Sequence, residues 1–245
     1  MNHKEIEKME KYEKTYWWHV GRKYLVEDLI KKYSNNKSQK ILEVGSGAGD
    51  TACMLQDYGE VYANDISPKA IEACGKRGIK NLILGDFTKL DNQKYKEKFN
   101  LVLALDVLEH IQDDLGAIQK MGDVLTKGGK LMITVPAYKF LWSSHDEALE
   151  HKRRYTSYEI KTKIKDSGFE IEKISHFVFF SFPIIALFKF LSNFISRNAY
   201  PKSSYILLPE KLNNLMIKIL KLETKLLNYF YLPFGTTIIV VARKI

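Results

Sequence analysis

A glycine-rich turn follows the first apolar run of the chain and has the form Glu43-x-Gly45-x-Gly47-x-Gly49. Glycine allows the backbone to approach a ligand closely and to take conformations that other residues avoid. Where such a turn opens a helix, the free N–H groups of the first helical turn can bind polar or anionic ligands. The turn therefore predicts a ligand site, although dinucleotide-binding proteins carry a similar one.

Acidic residues close the next three apolar runs. Asp65 ends the second run, where a carboxylate can accept hydrogen bonds from two ribose hydroxyls. Asp86 and Phe87 follow the third run, where an acid can meet an adenine amino group and a ring can lie beside the base. The fourth run leads through Asp106 into Leu108-Glu109-His110. Because open α/β sheets bind ligands outside the carboxyl ends of their strands, these residues predict a nucleoside site.

With these four features the sequence resembles the class I methyltransferases, specifically the small-molecule group related to the ubiquinone and menaquinone biosynthesis methyltransferases. The resemblance is strong over residues 38–136. It implies S-adenosyl-L-methionine as the cofactor and S-adenosyl-L-homocysteine as the product. The cofactor-binding residues that it implies are Glu43, Gly45, Gly47, Gly49, Asp65, Ile66, Asp86, Phe87, Asp106 and Val107.

A second group of chemically capable residues follows the fifth apolar run. His145 and His151 are candidate general bases, and Asp146 could fix the tautomer of a neighbouring ring. Arg153 and Arg154 are suited to gripping a phosphate or carboxylate with paired hydrogen bonds. The other interpretation is a folded loop whose charged groups satisfy one another. We predict no metal site, because the two histidines and Asp146 have no evident fourth ligand.

Tyr155 completes the predicted substrate-binding set, together with Trp18 and Arg22 from an aromatic segment near the N-terminus. Trp17 and Trp18 could close a lid over the cofactor, or they could anchor the N-terminal helix in the core. Arg22 could meet the cofactor carboxylate, or it could lie at the surface. The aromatic segment (residues 16–22) and the segment after the fifth apolar run (residues 142–155) recur together in a bacterial and archaeal subset of the methyltransferases that this chain resembles. Members of that subset often occur among genes for surface glycans and lipids.

Positioning these residues requires a sheet with helices on both faces. Short apolar runs alternate with helix-length segments, as expected for parallel strands that are covered on both sides. We predict a doubly wound, Rossmann-like α/β sheet of seven strands with right-handed crossovers. The predicted strands are Lys40–Val44, Glu60–Ala63, Asn81–Leu84, Phe99–Leu105, Lys130–Val135, Phe169–Phe177 and Thr236–Ala242.

Residues 178–235 separate the last two predicted strands, whereas a hairpin needs only a few residues. We predict a hydrophobic, basic helical insertion that either contacts an anionic membrane or packs on the core or on a second copy of the chain. After Pro209 its helix has one predicted apolar stripe, formed by Leu212, Leu215, Met216, Ile219, Leu222, Leu226 and Leu227. The predicted domains are an N-terminal helical lid (1–37), a methyltransferase core (38–177 and 236–245) and this insertion.

The composition fits one α/β domain with an elaboration. Of the 245 residues 45% are apolar, enough for a sizeable core. The net charge of +9 suggests an anionic partner or a lysine-rich surface. Cys53 and Cys74 show neither metal nor disulfide spacing, and no secretory segment starts the chain. We therefore predict a cytoplasmic protein, located at the inner membrane face if the insertion binds lipid.

We predict methyl transfer, in the form of O-methylation, to a small or lipid-linked acceptor that is polyprenyl-, quinol- or glycan-related. The alternatives are an RNA or protein methyltransferase and a non-catalytic cofactor-binding scaffold. A nucleic-acid partner is not expected: Asp106-Val107-Leu108-Glu109 stands where an Asn-Pro-Pro-Tyr-like motif would follow the fourth strand. The intact glycines argue against the scaffold.

Overall fold

The computed structural model describes residues 3–34, 38–195, 205 and 207–245. Its strands are β1 (Gln39–Val44), β2 (Gly59–Asp65), β3 (Asn81–Leu84), β4 (Phe99–Leu105), β5 (Leu125–Pro136), β6 (Phe169–Phe177) and β7 (Thr237–Lys244). The described helices are α1 (His3–Tyr12), α2 (Trp17–Tyr33), α3 (Asp50–Leu55), α4 (Pro68–Lys76), α5 (Asn92–Tyr95), α6 (Asp114–Val124), α7 (Ser144–Ala148), α8 (Ser157–Asp166), α9 (Phe182–Ile195) and α10 (Glu210–Leu227).

The seven strands form one sheet in the order β3-β2-β1-β4-β5-β7-β6. Strands β1 to β5 pair in parallel, and β7 pairs antiparallel with both β5 and β6. The predicted seven-stranded α/β fold is confirmed, with one antiparallel strand that makes the sheet mixed. Because β6 ends and β7 begins at the carboxyl edge of the parallel strands, the insertion between them emerges at that edge.

Two buried clusters cover the two faces of the sheet. β4 contributes to both, because successive side chains of a strand point to opposite faces. Val102 lies in a cluster with Ile118 of α6. Leu103 lies in the other cluster, with Leu29 of α2 and Leu220 of α10. Helix α2 and helix α10 of the insertion therefore cover the same face of the sheet.

Helix α10 of the insertion packs directly on α2. A Cβ atom built on Gly21 would lie 2.2 Å from the Cδ1 atom of Leu220, so the two helices approach closely where this glycine has no side chain. The Asn213 side-chain oxygen accepts a hydrogen bond from the Trp17 backbone N–H at 3.0 Å. The Glu223 carboxylate accepts hydrogen bonds from two backbone N–H groups in the turn after β6. These contacts fix α10 against the core.

The apolar stripe predicted for α10 is not its buried face. Leu227 is buried, but Leu212, Leu215 and Leu222 are 43%, 51% and 52% exposed. The buried face instead includes Leu220 and polar residues, because α10 docks through Gly21 of α2 and through the turn after β6. Much of the predicted stripe therefore faces outward.

Helix α9 also exposes large apolar side chains, at Ile184, Leu187 and Phe188. These positions are three and four residues apart, so they share one face of the helix. None of the helices within the described ranges combines the length and the hydrophobicity that crossing a bilayer requires.

Candidate active site

The glycine-rich turn lies at the carboxyl end of β1 and opens α3. Gly45, Gly47 and Gly49 all have positive φ, at 72°, 54° and 88°. A Cβ atom on Gly45 would lie 2.6 Å from Cγ2 of Val107, and one on Gly49 would lie 2.8 Å from Sγ of Cys74. Both backbone conformation and space therefore require glycine at these two positions.

Asp65, at the end of β2, holds the turn in place. Its Oδ2 atom accepts a hydrogen bond from the Gly47 backbone N–H at 2.9 Å, and its Oδ1 atom accepts one from the Ser67 N–H at 2.8 Å. Ser67 in turn caps α4. Each carboxylate oxygen has a further lone pair, so the side chain can also accept bonds from a ligand.

The residues that follow Asp65 and β3 differ in exposure. Ile66 is 64% exposed beside the crevice, which is unusual for a large aliphatic side chain. Asp86 accepts hydrogen bonds from the backbone N–H and the hydroxyl of Thr88. Burial raises the pKa of Asp86, but the bonds from Thr88 outweigh it and lower the pKa overall. Phe87 is buried and packs in the core.

The end of β4 carries an ion pair across the crevice. Asp106 has a positive φ of 56°, and its Oδ2 atom lies 2.6 Å from Nη1 of Arg22 on α2. The Thr134 hydroxyl donates to its other oxygen at 2.9 Å. Behind this pair, Oε2 of the buried Glu43 has no hydrogen-bond partner, and burial raises the pKa of Glu43 to about 8. The charge of Arg22 acts in the opposite direction, and a further cation bound nearby would favour the ionised form of Glu43.

Helix α1 lies across the glycine-rich turn. The Met9 Sδ atom is 3.4 Å from the backbone nitrogen of Ala48. Lys69 of α4 pairs with Glu7 at 2.6 Å, and Arg77 contacts Glu13 just after the helix. The lid function predicted for residues 1–37 stays a prediction, but these contacts bring the segment over the crevice.

Asp146 is the shared hydrogen-bond acceptor among the residues predicted to bind or activate the methyl acceptor. Its carboxylate is fully buried and accepts hydrogen bonds from Nδ1 of His151 at 3.0 Å and from the Ser143 N–H at 2.9 Å. Arg154 donates to it twice, from Nε at 2.7 Å and Nη2 at 3.0 Å. Although burial raises the pKa of Asp146, its bond from His151 and the charge of Arg154 lower it well below the usual range.

Glu109 lies next to the His151 ring. Neither of its carboxylate oxygens has a hydrogen-bond partner, and the nearer one is 3.9 Å from Nε2 of His151. Burial and the nearby Asp106 raise the pKa of Glu109 well above its usual range. The His110 ring meets the His151 ring edge-on with centroids 4.8 Å apart. Burial and that neighbouring ring lower the pKa of His110 to about 4, so its ring is neutral at pH 7.

Several predicted substrate-binding residues make internal contacts. Arg153 pairs with Asp114 at 3.1 Å, and the buried Tyr155 hydroxyl donates to the same carboxylate at 2.8 Å. Arg154 is buried against Asp146. Trp18 packs on Phe177, with ring centroids 6.1 Å apart. These contacts favour the folded-loop and anchor interpretations, and binding of substrate by these four residues stays a prediction. His145 lies half-buried on α7, and its role as a base also stays a prediction.

Two residues of the site were given no role from sequence. Glu109 was noted only as part of a motif. Lys189 lies in an apolar stretch of the insertion, and its Nζ atom donates to the Leu141 carbonyl at 3.1 Å and lies 3.7 Å from Asp146. A single lysine in an apolar helix is a usable signal, because such a charge needs a partner once buried.

A family model described as a methyltransferase domain matches residues 17–174. The chain belongs to this methyltransferase family. It is similar to the ubiquinone biosynthesis O-methyltransferase of Pelagibacter ubique, at 27% identity over 168 residues that cover 57% of this chain and 69% of that enzyme. The Glaesserella parasuis enzyme of the same name is 26% identical over 151 residues, 55% of this chain and 64% of the enzyme. The match thus spans about two thirds of each relative.

Solved structures share the fold of this methyltransferase. Phosphoethanolamine N-methyltransferase 2 of Haemonchus contortus, in complex with S-adenosyl-L-methionine, superposes with a TM-score of 0.59 at 17% identity, covering 89% of this chain and 52% of that one. The family match and these relatives make the chain a class I methyltransferase related to the ubiquinone biosynthesis enzymes, with S-adenosyl-L-methionine as its methyl donor.

The crevice fits this cofactor. The glycine turn presents backbone without side chains, although Met9 of α1 lies against it in this structure, and the Asp65 carboxylate has acceptor capacity for ribose hydroxyls. The exposed Ile66 offers an apolar surface for a base. The unpartnered oxygen of buried Glu43 suits a molecule that carries positive charge. The contacts made by each residue remain proposals.

Proposed function

We propose that this chain transfers a methyl group to a hydroxyl oxygen of a small or lipid-linked acceptor. The observation that carries the proposal is the Asp146–His151 pair, joined at 3.0 Å beside the buried Glu109 and close to the end of β4. A hydroxyl must lose its proton when its oxygen gains a methyl group, and a histidine oriented by a carboxylate promotes such a loss. The names of the relatives support oxygen as the methylated atom.

The chain's residues divide into two groups in this proposal. Bound S-adenosyl-L-methionine supplies a methyl group on a positively charged sulfur, which is already an activated electrophile. Asp65, Ile66 and the glycine turn hold the nucleoside part, while Glu43 and the Arg22–Asp106 pair close the pocket at the ends of β1 and β4. The whole arrangement positions the acceptor and excludes water.

On the acceptor side, Asp146 orients His151. Because Nδ1 of His151 is bound to the carboxylate, Nε2 is the atom that acts on the acceptor hydroxyl. It can take the proton itself, or it can bind a group that lowers the hydroxyl pKa. Arg154 holds Asp146 in place and is thus a positioning residue.

The insertion supports an acceptor at a membrane surface. Leu215 and Leu222 are exposed on α10, with Lys211, Lys218 and Lys225 on the same side of the helix and also exposed. Apolar residues flanked by lysines are typical of helices that lie on anionic lipid surfaces. We propose peripheral contact of this face with the cytoplasmic face of a membrane, which brings the crevice close to lipid-linked acceptors.

The acceptor class is tested by supplying the enzyme and methyl-labelled cofactor separately to lipid, small-molecule, glycan, protein and RNA fractions of the host cell. We expect label in a methyl ether from the lipid or small-molecule fraction. Label in RNA or protein would support the alternative acceptors instead. No label in any fraction, with cofactor binding intact, would favour a non-catalytic scaffold.

The His151 assignment has its own test. We expect His151→Ala to lower kcat by about 10²-fold or more, because oriented acid–base groups contribute about that much, while the Kd for cofactor measured by calorimetry stays unchanged. His145→Ala is measured beside it, since both histidines were candidate bases. Full activity in both variants would remove the histidine assignment.

A further inference from the structure

Asp106, at the end of β4, has a backbone conformation that residues other than glycine rarely adopt. Its φ of 56° lies in the left-handed region, where a Cβ atom crowds the following carbonyl oxygen. Aspartate tolerates this region better than most residues, but such strain persists only where the surrounding structure enforces it. The residue that enforces it here lies on the neighbouring strand β5.

Thr134 of β5 binds both the backbone and the side chain of Asp106. The Asp106 N–H donates to the Thr134 carbonyl at 3.0 Å and to the Thr134 hydroxyl oxygen at 3.1 Å. The same hydroxyl donates its own hydrogen to Oδ1 of Asp106 at 2.9 Å. These bonds close a small ring that holds the left-handed conformation in place.

The Thr134 hydroxyl is an unusual group for its surroundings. Thr134 is 1% exposed, and its strand neighbours Ile133 and Val135 are fully buried. Burying a hydroxyl in such a place is costly unless it is hydrogen-bonded, and its bonds to Asp106 meet that requirement. The hydroxyl is therefore explained by Asp106 rather than by packing in the core.

The ring also determines which oxygen of Asp106 meets the crevice. Because Oδ1 is bound to Thr134, Oδ2 is the oxygen that pairs with Nη1 of Arg22, at 2.6 Å. The Arg22 and Asp106 side chains are 15% and 24% exposed, so a ligand can reach the pair. A carboxylate that is fixed before binding loses little freedom when a ligand arrives.

We propose that Thr134 is a positioning residue for cofactor binding and that it acts through Asp106. Thr134 keeps the Asp106 carboxylate at the crevice and so keeps the free protein in the form that binds S-adenosyl-L-methionine. Without the hydroxyl, Asp106 relaxes toward ordinary backbone conformations, and only a fraction of the molecules stays competent to bind. The apparent Kd rises as that fraction falls. The inference rests on the proposed placing of Asp106 and Arg22 beside the cofactor, and not on the acceptor.

Calorimetric titration of the whole chain with S-adenosyl-L-methionine tests this role. We expect Thr134→Val to raise the Kd about tenfold, because the strained conformation loses its support. Thr134→Ser keeps the hydroxyl and should bind as wild type does. Thr224→Val is the matched control: it removes a buried hydroxyl that donates to the Leu220 carbonyl within α10, and it should leave the Kd unchanged.

A double-mutant cycle separates positioning from general damage to the core. Asp106→Ala should weaken binding by itself, and adding Thr134→Val to it should change the Kd no further. Additive losses, or a Thr134→Val variant that binds as tightly as wild type, would overturn the proposal. If Thr134→Val does not fold, Thr134→Ala takes its place, because alanine sets no methyl group against the Asp106 N–H.

This inference and the proposed function can fail separately. Transfer of the methyl group to a nitrogen or to RNA would remove the proposed function and leave the Kd pattern of the Thr134 variants standing. An Asp106→Ala variant that binds the cofactor as tightly as wild type would remove the positioning role, while a labelled methyl ether would still support the proposed function.

Discussion

The Asp65 carboxylate has both a structural role and a proposed ligand-binding role. It fixes the Gly47 and Ser67 backbone N–H groups, and it is the proposed acceptor for the ribose hydroxyls. We expect Asp65→Ala to raise the Kd for S-adenosyl-L-methionine more than tenfold, because a charge-assisted hydrogen bond contributes about 1.5–3 kcal/mol. Calorimetry measures this directly. Asp57→Ala removes an exposed carboxylate near the end of α3 and should leave Kd unchanged. Equal affinity in both variants would remove the ribose assignment.

Glu43 should make cofactor binding depend on pH. Burial raises its pKa to about 8, so the carboxyl is largely protonated at pH 7 in the free enzyme. A cationic ligand favours the ionised form, and its affinity should therefore rise with pH through that value. Between one pH unit below this pKa and one pH unit above it, the affinity for the cofactor should increase by up to about tenfold. Calorimetry at the two pH values measures it.

The matched variant for this prediction is Glu43→Gln. It removes the titrating group and keeps nearly the same volume, so its affinity should be flat over the same pH range. A wild-type profile with the slope of the variant would show that Glu43 does not sense the ligand charge.

Residue types alone revealed part of the site. The positions of Gly45, Gly49 and Asp65 could be predicted because their conformations and hydrogen bonds are local to one turn. The approach of Lys189 to Asp146 could not, because it joins segments whose relative position depends on how α9 docks. Glu109 needed the structure most, since its lack of partners is a property of the packed state.

At the scale of elements, α2 and α10 form the most extensive contact outside the sheet that the described residues show. We expect Gly21→Val to destabilise the protein by about 1–3 kcal/mol, because added methyl groups in a packed contact force side chains and backbone apart. Urea unfolding measures the change. Leu220→Ala combined with Gly21→Val should recover part of the loss, because it removes the atoms that clash.

Gly75→Ala is the control for this substitution. Gly75 lies within α4, and an added Cβ there would meet only the end of the Leu82 side chain, at 3.2 Å. Alanine favours helix over glycine, so stability should stay equal or rise. If Gly21→Val were as stable as Gly75→Ala, the close approach of the two helices would be wrong.

Strands were easier to predict than helix faces. The first five strands were recognisable as short apolar runs, because parallel strands covered on both faces are rich in apolar residues and show little alternation. For α10 the apolar stripe was recognised, but the sequence did not indicate which face of the helix packs on the core. The side chains of Asn213 and Glu223 accept hydrogen bonds from backbone N–H groups of α2 and of the turn after β6, and such long-range partners leave no trace in helical periodicity.

The whole molecule carries a net charge of +9. If the α10 face contacts anionic lipid, Lys211, Lys218 and Lys225 should contribute about 1 kcal/mol each. Replacing all three with glutamine should then weaken binding to anionic vesicles about 100-fold, as measured by flotation at low salt. Replacement of Lys94, Lys127 and Lys161, which are exposed elsewhere, changes the net charge equally and should have a much smaller effect.

Comparison of the two triple variants distinguishes binding through the α10 face from attraction by the net charge of the whole protein. Equal losses in the two triple variants would mean that net charge alone attracts the protein to the vesicles. Wild-type protein that fails to float would remove the membrane contact from the proposal, while the methyl-transfer chemistry would be unaffected.

Helix α2 has a structural consequence beyond its packing. Gly21 of this helix contacts Leu220 of the insertion, and the next residue, Arg22, forms an ion pair with Asp106. A chimaera that took its insertion from a relative would place a foreign helix against Gly21 and so shift the neighbouring guanidinium. Grafts of acceptor specificity between such enzymes should therefore exchange the first thirty or so residues together with the insertion, as one cassette.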